Sequence, residues 1–266
     1  MRILIICMVL FLSGSAFAQN AINQVDAQGR KQGFWTKKNP EGILVYQATF
    51  KNDKPVGEMK RFHPNGKIMA IITFAESSEL SDAKLFDEQG KQIAQGKYLG
   101  QKKTGEWQYL LESKVVSTET YADGLKNGLG KRYYNTGELL EESSWKNGKL
   151  DGIYRTYFKD GNLYLESHYS DGRRNGTFKT AYTNGSLELD AFYTDDFKNG
   201  DWKYYDESGK LLYILKYDSG KLLNPEVQDS IDKMKSGTFK TKEDNIPDPE
   251  KFMQNPEEYM RLMQIH

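Results

Sequence analysis

The feature that most constrains how this chain can fold is a repeat with a period of 24 residues. A glycine opening an aromatic-containing segment recurs at Gly33, Gly57, Gly105, Gly128, Gly152, Gly176 and Gly200. The step from Gly57 to Gly105 is double, with Ser81 at the skipped position, which marks a degenerate copy rather than an insertion. A second glycine follows nine residues later at Gly42, Gly66, Gly90, Gly137, Gly161, Gly185 and Gly209. Only the copy from Gly105 lacks it, and that copy is one residue short. An aromatic closes every unit, at Phe50, Phe74, Tyr98, Tyr121, Trp145, Tyr169, Tyr193 and Tyr217. Units of this kind cannot bury an apolar face alone and must share a core with their neighbours.

Each unit reads as a β-hairpin. Leu187, Leu189, Ala191 and Tyr193 alternate with Glu188 and Asp190, the period-two pattern of a half-buried strand. Asn-Gly, Asp-Gly or Ser-Gly at mid-unit tolerates the positive φ of a tight turn, and Asn147-Gly148, Asp171-Gly172 and Ser219-Gly220 do the same between units. Turns this short force each strand to pair antiparallel with the next. The expected fold is all-β: an elongated antiparallel β-hairpin repeat array, solenoid or meander, of about eight 24-residue units with a short α-helical C-terminal tail. About sixteen strands at roughly 4.8 Å give a length of roughly 75 Å. The opening strands contribute Trp35, Met59, Trp107, Tyr154, Phe178 and Trp202, which are expected to pack as the shared core stripe.

Residues 152–161, with Tyr169-Ser170-Asp171-Gly172 after them, resemble the bacterial variant of the MORN repeat, and Gly200-Asp201-Trp202-Lys203-Tyr204-Tyr205 repeats the pattern. The resemblance extends from about residue 26 to 223; it is weak in the copy from Ser81, and Gly130 stands where the aromatic belongs in the copy from Gly128. It implies a hairpin array used for binding or scaffolding. Many such proteins carry the label of a toxin-neutralising partner, the YwqK-type antitoxin, a label often resting on repeat similarity alone.

The ends differ from the array. Met1-Arg2, the apolar run Ile3 to Leu12 and Ala16-Phe17-Ala18 form a signal-peptide pattern, so residues 1–18 are expected to be removed and the chain exported to the periplasm or cell exterior. Cys7, the sole cysteine, lies within that segment, which leaves the mature chain without disulfides. Residues 19–32 form a lead-in, 33–223 the repeats and 224–266 a tail. Asn224-Pro225-Glu226, Asp248-Pro249-Glu250 and Asn255-Pro256-Glu257 are helix-start signals. They predict a helix from Pro225 to about Lys235, stopped by Ser236-Gly237, then short helices at Pro249–Met253 and Pro256–Gln264. Tyr259, Met260 and Met263 could cap the last hairpin or dock a partner.

Motifs for chemistry are sparse. His63, His168 and His266 share no metal-ligand spacing, and the glycines follow the hairpin register rather than a phosphate-binding loop. Solvated roles are expected for the carboxylate pairs Glu141-Glu142 and Asp195-Asp196. No catalytic, cofactor-binding or metal residue is assigned, and no cofactor is expected. With 37 basic and 37 acidic residues, no global field favours nucleic acid, and no stretch after residue 18 is apolar enough to span a membrane. Charge is segregated locally. Lys102, Lys103, Lys126, Lys146, Lys149, Arg173, Arg174, Lys198 and Lys221 gather in the inter-unit turns, and Glu138, Glu141, Glu142, Glu166, Glu188 and Asp190 on the second strands. A basic ridge and an acidic stripe are therefore expected, either to meet a partner or to keep the sheet soluble. The candidate partner-binding residues are Lys146, Lys149, Arg173, Arg174, Lys198, Tyr259, Met260 and Met263. The expected function is a non-catalytic exported module that binds or scaffolds another protein. The alternatives are binding of an anionic envelope polymer or lipid headgroup through the basic turns, and immunity against a secreted toxin. Oligomeric state is not readable from these patterns.

Overall fold

The computed structural model of the chain describes residues 22–75 and 78–238, the last four of these by backbone alone. Their fold is one antiparallel meander. Two-residue strand β1 (Gln24–Val25) leads in, and the hairpins follow as β2 (Lys31–Lys38) with β3 (Leu44–Lys51), β4 (Lys54–Phe62) with β5 (Ile68–Phe74), and β6 (Leu80–Phe86) with β7 (Gln92–Leu99). Then come β8 (Lys102–Leu111) with β9 (Lys114–Ala122), β10 (Leu125–Tyr133) with β11 (Leu139–Lys146), and β12 (Lys149–Tyr157) with β13 (Leu163–Ser170). The last pairs are β14 (Arg173–Ala181) with β15 (Leu187–Thr194) and β16 (Phe197–Tyr205) with β17 (Leu211–Asp218), before β18 (Lys221–Leu222) and helix α1 (Pro225–Thr238). The sixteen long strands are those the repeat predicts.

The opening glycines do more than start strands. Ala48 faces Met59 across β3 and β4, but the next pair is Thr49 with Val56, so Gly57 and Glu58 bulge out of the ladder. The same two-residue excess recurs at five other boundaries between units. Gly57 takes a φ of 66°, a left-handed conformation that costs a residue with a Cβ about 1–2 kcal/mol. Where Ser81 replaces the glycine, the bulge is gone, and β5 pairs with β6 in unbroken register from Ala70–Leu85 to Phe74–Ser81. The degenerate copy is thus a different junction. The shortened copy is explained as well. Glu112 and Ser113, at φ 50° and 67°, form a two-residue hairpin turn in place of the glycine-containing turn used elsewhere.

A single layer can bury rings only within its own face, and it does so by pairing large with small. Each ring lies against a small residue of the preceding strand. Tyr154 faces Ser143, and Phe178 faces Ser167. Trp107 lies against Gly96, where an added Cβ would come within 2.4 Å of the indole. Trp107, Phe178 and Trp202 are fully buried, and the indole N–H groups of Trp107 and Trp202 donate to the carbonyls of Lys97 and Phe192. The main core runs from Tyr154 through Phe178, Tyr193 and Trp202 to Leu215. The N-terminal half holds a smaller cluster around Ala83, Ala94 and Trp107.

Both sheet edges are closed by an asparagine. Asn23 Oδ1 accepts the Thr36 N–H, while Asn224 Oδ1 accepts the Lys216 N–H and its Nδ2 donates to the Ile214 carbonyl. These bonds satisfy backbone groups that an open edge would offer to another strand. Asn224 precedes α1 as expected, yet its side chain serves the sheet rather than the helix. The helix also runs past its expected end. It continues through Ser236-Gly237 to Thr238, because an interior glycine costs a helix only about 1 kcal/mol and stops it only when it turns left-handed. Val227 and Ile231 seat α1 on the core. Residues 1–18, the tail helices, Tyr259, Met260 and Met263 lie outside the described residues.

Gly96→Ala should destabilise the fold by about 1–3 kcal/mol, the usual cost of overpacking a tight site. Urea unfolding measures this, and the loss should shrink in a Trp107→Leu background.

Candidate functional site

The basic turn residues divide into two groups, and neither forms a bare positive ridge. At five of the seven opening glycines the residue two before is a cation that lies over a ring, while Pro55 and Leu150 hold that place before Gly57 and Gly152. Lys31 lies 4.9 Å from the Trp35 ring, Lys103 4.4 Å from Trp107, Arg174 4.0 Å from Tyr193 and Lys198 4.2 Å from Trp202. Such cation–ring contacts contribute about 0.5–2 kcal/mol each and explain why the cations recur. The residues at the turn itself pair with an aspartate of the next turn. Lys149 meets Asp171 at 2.7 Å, Arg173 meets Asp195 at 3.5 Å and Arg174 meets Asp196 at 3.0 Å. Lys146 is exposed at the end of β11. Of the candidate turn cations, Lys149, Arg173 and Arg174 thus meet neighbouring turns and Lys198 a ring, while Lys146 stays exposed.

The acidic stripe is corrected in the same way. On the face away from the rings, Lys131, Glu142, Arg155, Glu166, Lys179, Asp190 and Lys203 face one another in strand order. Opposite charges alternate across these strands, each directly opposite pair adding stability. Arg155 binds Glu166 at 2.7 Å and Lys131 approaches Glu142 at 3.3 Å. Glu141 is not solvated as expected. It occupies an inward position, is buried, and accepts the Tyr154 hydroxyl at 3.2 Å and an Arg132 N–H at 3.4 Å. His63 Nε2 lies 2.9 Å from the Phe86 carbonyl, and His168 Nδ1 lies 2.8 Å from the Thr177 hydroxyl. Among the described residues no cluster of acidic, histidine or cysteine side chains could hold a metal, and no helix is long and apolar enough to cross a membrane.

Three copies lack the inward ring: Met59 supplies a long apolar side chain in its place, and the copies with Gly130 and Ala83 resolve the gap differently. At Gly130 the space is taken by Trp145, whose indole donates to Ser143 Oγ, and by a polar cluster. Glu119 pairs with Lys126 and accepts the Tyr121 hydroxyl, while Tyr109 contacts Tyr121 at 2.9 Å and Lys103 at 2.7 Å. Burial alone would raise the Glu119 carboxyl, but the bonds from Lys126 and Tyr121 and the Lys126 charge hold it below the usual range. Burial pushes the Lys103 ammonium down against the attraction of Glu119.

At Ala83 nothing comparable fills the face. Ile72, where Ala48, Ser143 and Ser167 stand in other copies, lies opposite Ala83, and the bulge is missing. Here lies a groove of about 1040 Å3 spanning the sheet from Val45, Met69 and Ile93 at the hairpin turns to Pro55 and Gly100 at the other edge. Met59, Ile72, Leu85 and Tyr98 line its middle. Its charged lining residues are Lys37 and Arg61, both exposed, and no carboxylate lines it. Arg61 is close enough to Tyr98 to oppose the rise that burial imposes on its hydroxyl. This groove escaped the sequence reading, although the missing aromatic at position 83 was its signal.

Segments 55–76, 126–147, 150–171 and 198–219 match the family profile described as the MORN repeat variant. Repeats of this kind are generally protein- or membrane-binding modules. No curated protein matches the chain.

Because Glu119 titrates lower in the fold than in the unfolded chain, its contribution is present above the unfolded carboxylate range, near pH 4.3, and is lost as pH falls through the folded value. The fall in melting temperature between pH 7 and pH 3 should be smaller for Glu119→Gln than for the wild type.

Proposed function

We propose that the chain is an exported, non-catalytic protein-binding module that takes a segment of its partner into the groove over the Ala83 copy. The observation that carries this reading is the groove itself. It is an apolar opening of about 1040 Å3 on a face that the array fills elsewhere with rings such as Trp107, Phe178 and Trp202. Apolar clefts with a few placed polar groups are the usual seats of ligands and of anchoring side chains. The C-terminal half supports the reading by contrast, since its continuous core and paired charges leave it as scaffold. Binding of an anionic polymer through the turns has less support, because Lys149, Arg173 and Arg174 already hold aspartates. A secreted toxin would be one partner of the protein class, and a toxin gene beside this one would favour it.

Affinity capture from envelope fractions tests the assignment. Ile93 is 42% exposed, so Ile93→Glu places a charge in the groove without disturbing the core. That change should weaken recovery of the partner at least tenfold. Replacing Lys146, Lys149, Arg173 and Arg174 with Ala should leave it intact, and the reverse pattern would move the site to the turns. N-terminal sequencing of the exported chain should begin at Gln19.

A further inference from the structure

Two properties of the groove restrict what can fill it. Its floor is apolar, with Met59, Ile72 and Leu85, and its rim carries Lys37 and Arg61 with no acidic lining residue. Neither cation is in an ion pair among the described residues. The occupant must therefore offer apolar side chains together with carboxylates. Elsewhere in the array the equivalent places are filled by an apolar ring beneath a cation, as Trp107 lies beneath Lys103 and Trp202 beneath Lys198.

The chain contains such a segment. Residues 248–263 carry Phe252, Met253, Tyr259, Met260, Leu262 and Met263 among four carboxylates, Asp248, Glu250, Glu257 and Glu258, against two cations, Lys251 and Arg261. We propose that the groove receives this C-terminal segment from a second copy of the chain, joining molecules head to tail. The inference rests on the reading of the groove as a protein-docking site and names its occupant.

Reach decides between one molecule and two. Helix α1 is seated at the last repeat, and β17 is ten strands from β7, the near side of the groove, about 48 Å along the sheet at 4.8 Å per strand. The turns of α1 beyond Ile231 add about 10 Å, and the nine residues from 239 to 247 extend at most about 32 Å, about 42 Å together. A segment beginning at Asp248 therefore falls short of its own groove, while a neighbouring molecule can present its groove beside it. Such a contact joins two different surfaces, so it propagates rather than closing on itself as a symmetric pair does. At both ends Asn23 and Asn224 hold backbone groups that strand addition would need, which disfavours joining edge to edge.

The test uses the exported chain, residues 19–266, in sedimentation velocity across a hundredfold concentration range, with a labelled synthetic peptide of residues 248–263 as probe. Association should grow with concentration, and excess peptide should reverse it. Lys37→Glu with Arg61→Glu should weaken peptide binding at least tenfold with an unchanged melting temperature. Tyr259→Ala with Met260→Ala and Met263→Ala should abolish association yet leave the groove able to bind the peptide. A chain that stays monomeric and does not bind the peptide overturns the proposal, as does association that survives the rim substitutions. If the peptide fails while Ile93→Glu still costs the chain a different partner, self-docking falls and the protein-binding reading stands. If neither depends on the groove, both fall.

Discussion

A sheet one layer thick has no opposing layer in which to bury its side chains, so this fold depends on one contact: a large side chain of the opening strand, a ring in most copies, lying over a small residue of the strand before it. Trp107 over Gly96 is the tightest case, and Tyr154 against Ser143 and Phe178 against Ser167 repeat it. The contact is lateral and passes from unit to unit, which is why stability accumulates along the array rather than at a centre. A bulge at six of the opening glycines accompanies it, and over Trp35, Trp107 and Trp202 a lysine covers the ring. At Trp107 and Trp202 ring, small partner, glycine and cation act together as a single device.

The two interruptions of that device separate structure from function. Gly130 removes a ring, but Trp145, Glu119 and Lys126 occupy the space, and the local polar groups find partners. The copy from Ser81 loses glycine, bulge and ring together, and Ile72 takes the small residue's place. The result there is an open apolar groove edged by two cations. The same economy governs charge. Across the C-terminal strands, lysine or arginine alternates with glutamate or aspartate in register, so the outer face is covered by mutual neutralisation.

The sequence by itself determined the architecture. Glycines at a 24-residue spacing, with period-two strands between them, leave short turns and consecutive antiparallel pairing as the only geometry, and the sixteen long strands follow. The weak copy at Ser81 was visible too, because a missing glycine needs no coordinates to be noticed. Tertiary structure alone decided what each charge does. Lys198 and Lys149 look alike in sequence, yet one lies over Trp202 and the other meets Asp171, because a residue's partner sits some 22 positions away on the next turn. It also decided that Glu141 is buried while Glu142 is not, since successive residues of a strand point to opposite faces. And it decided that losing one ring yields a sealed polar cluster while losing another yields a groove. That outcome depends on which side chains converge from neighbouring strands, which a period along the chain does not encode.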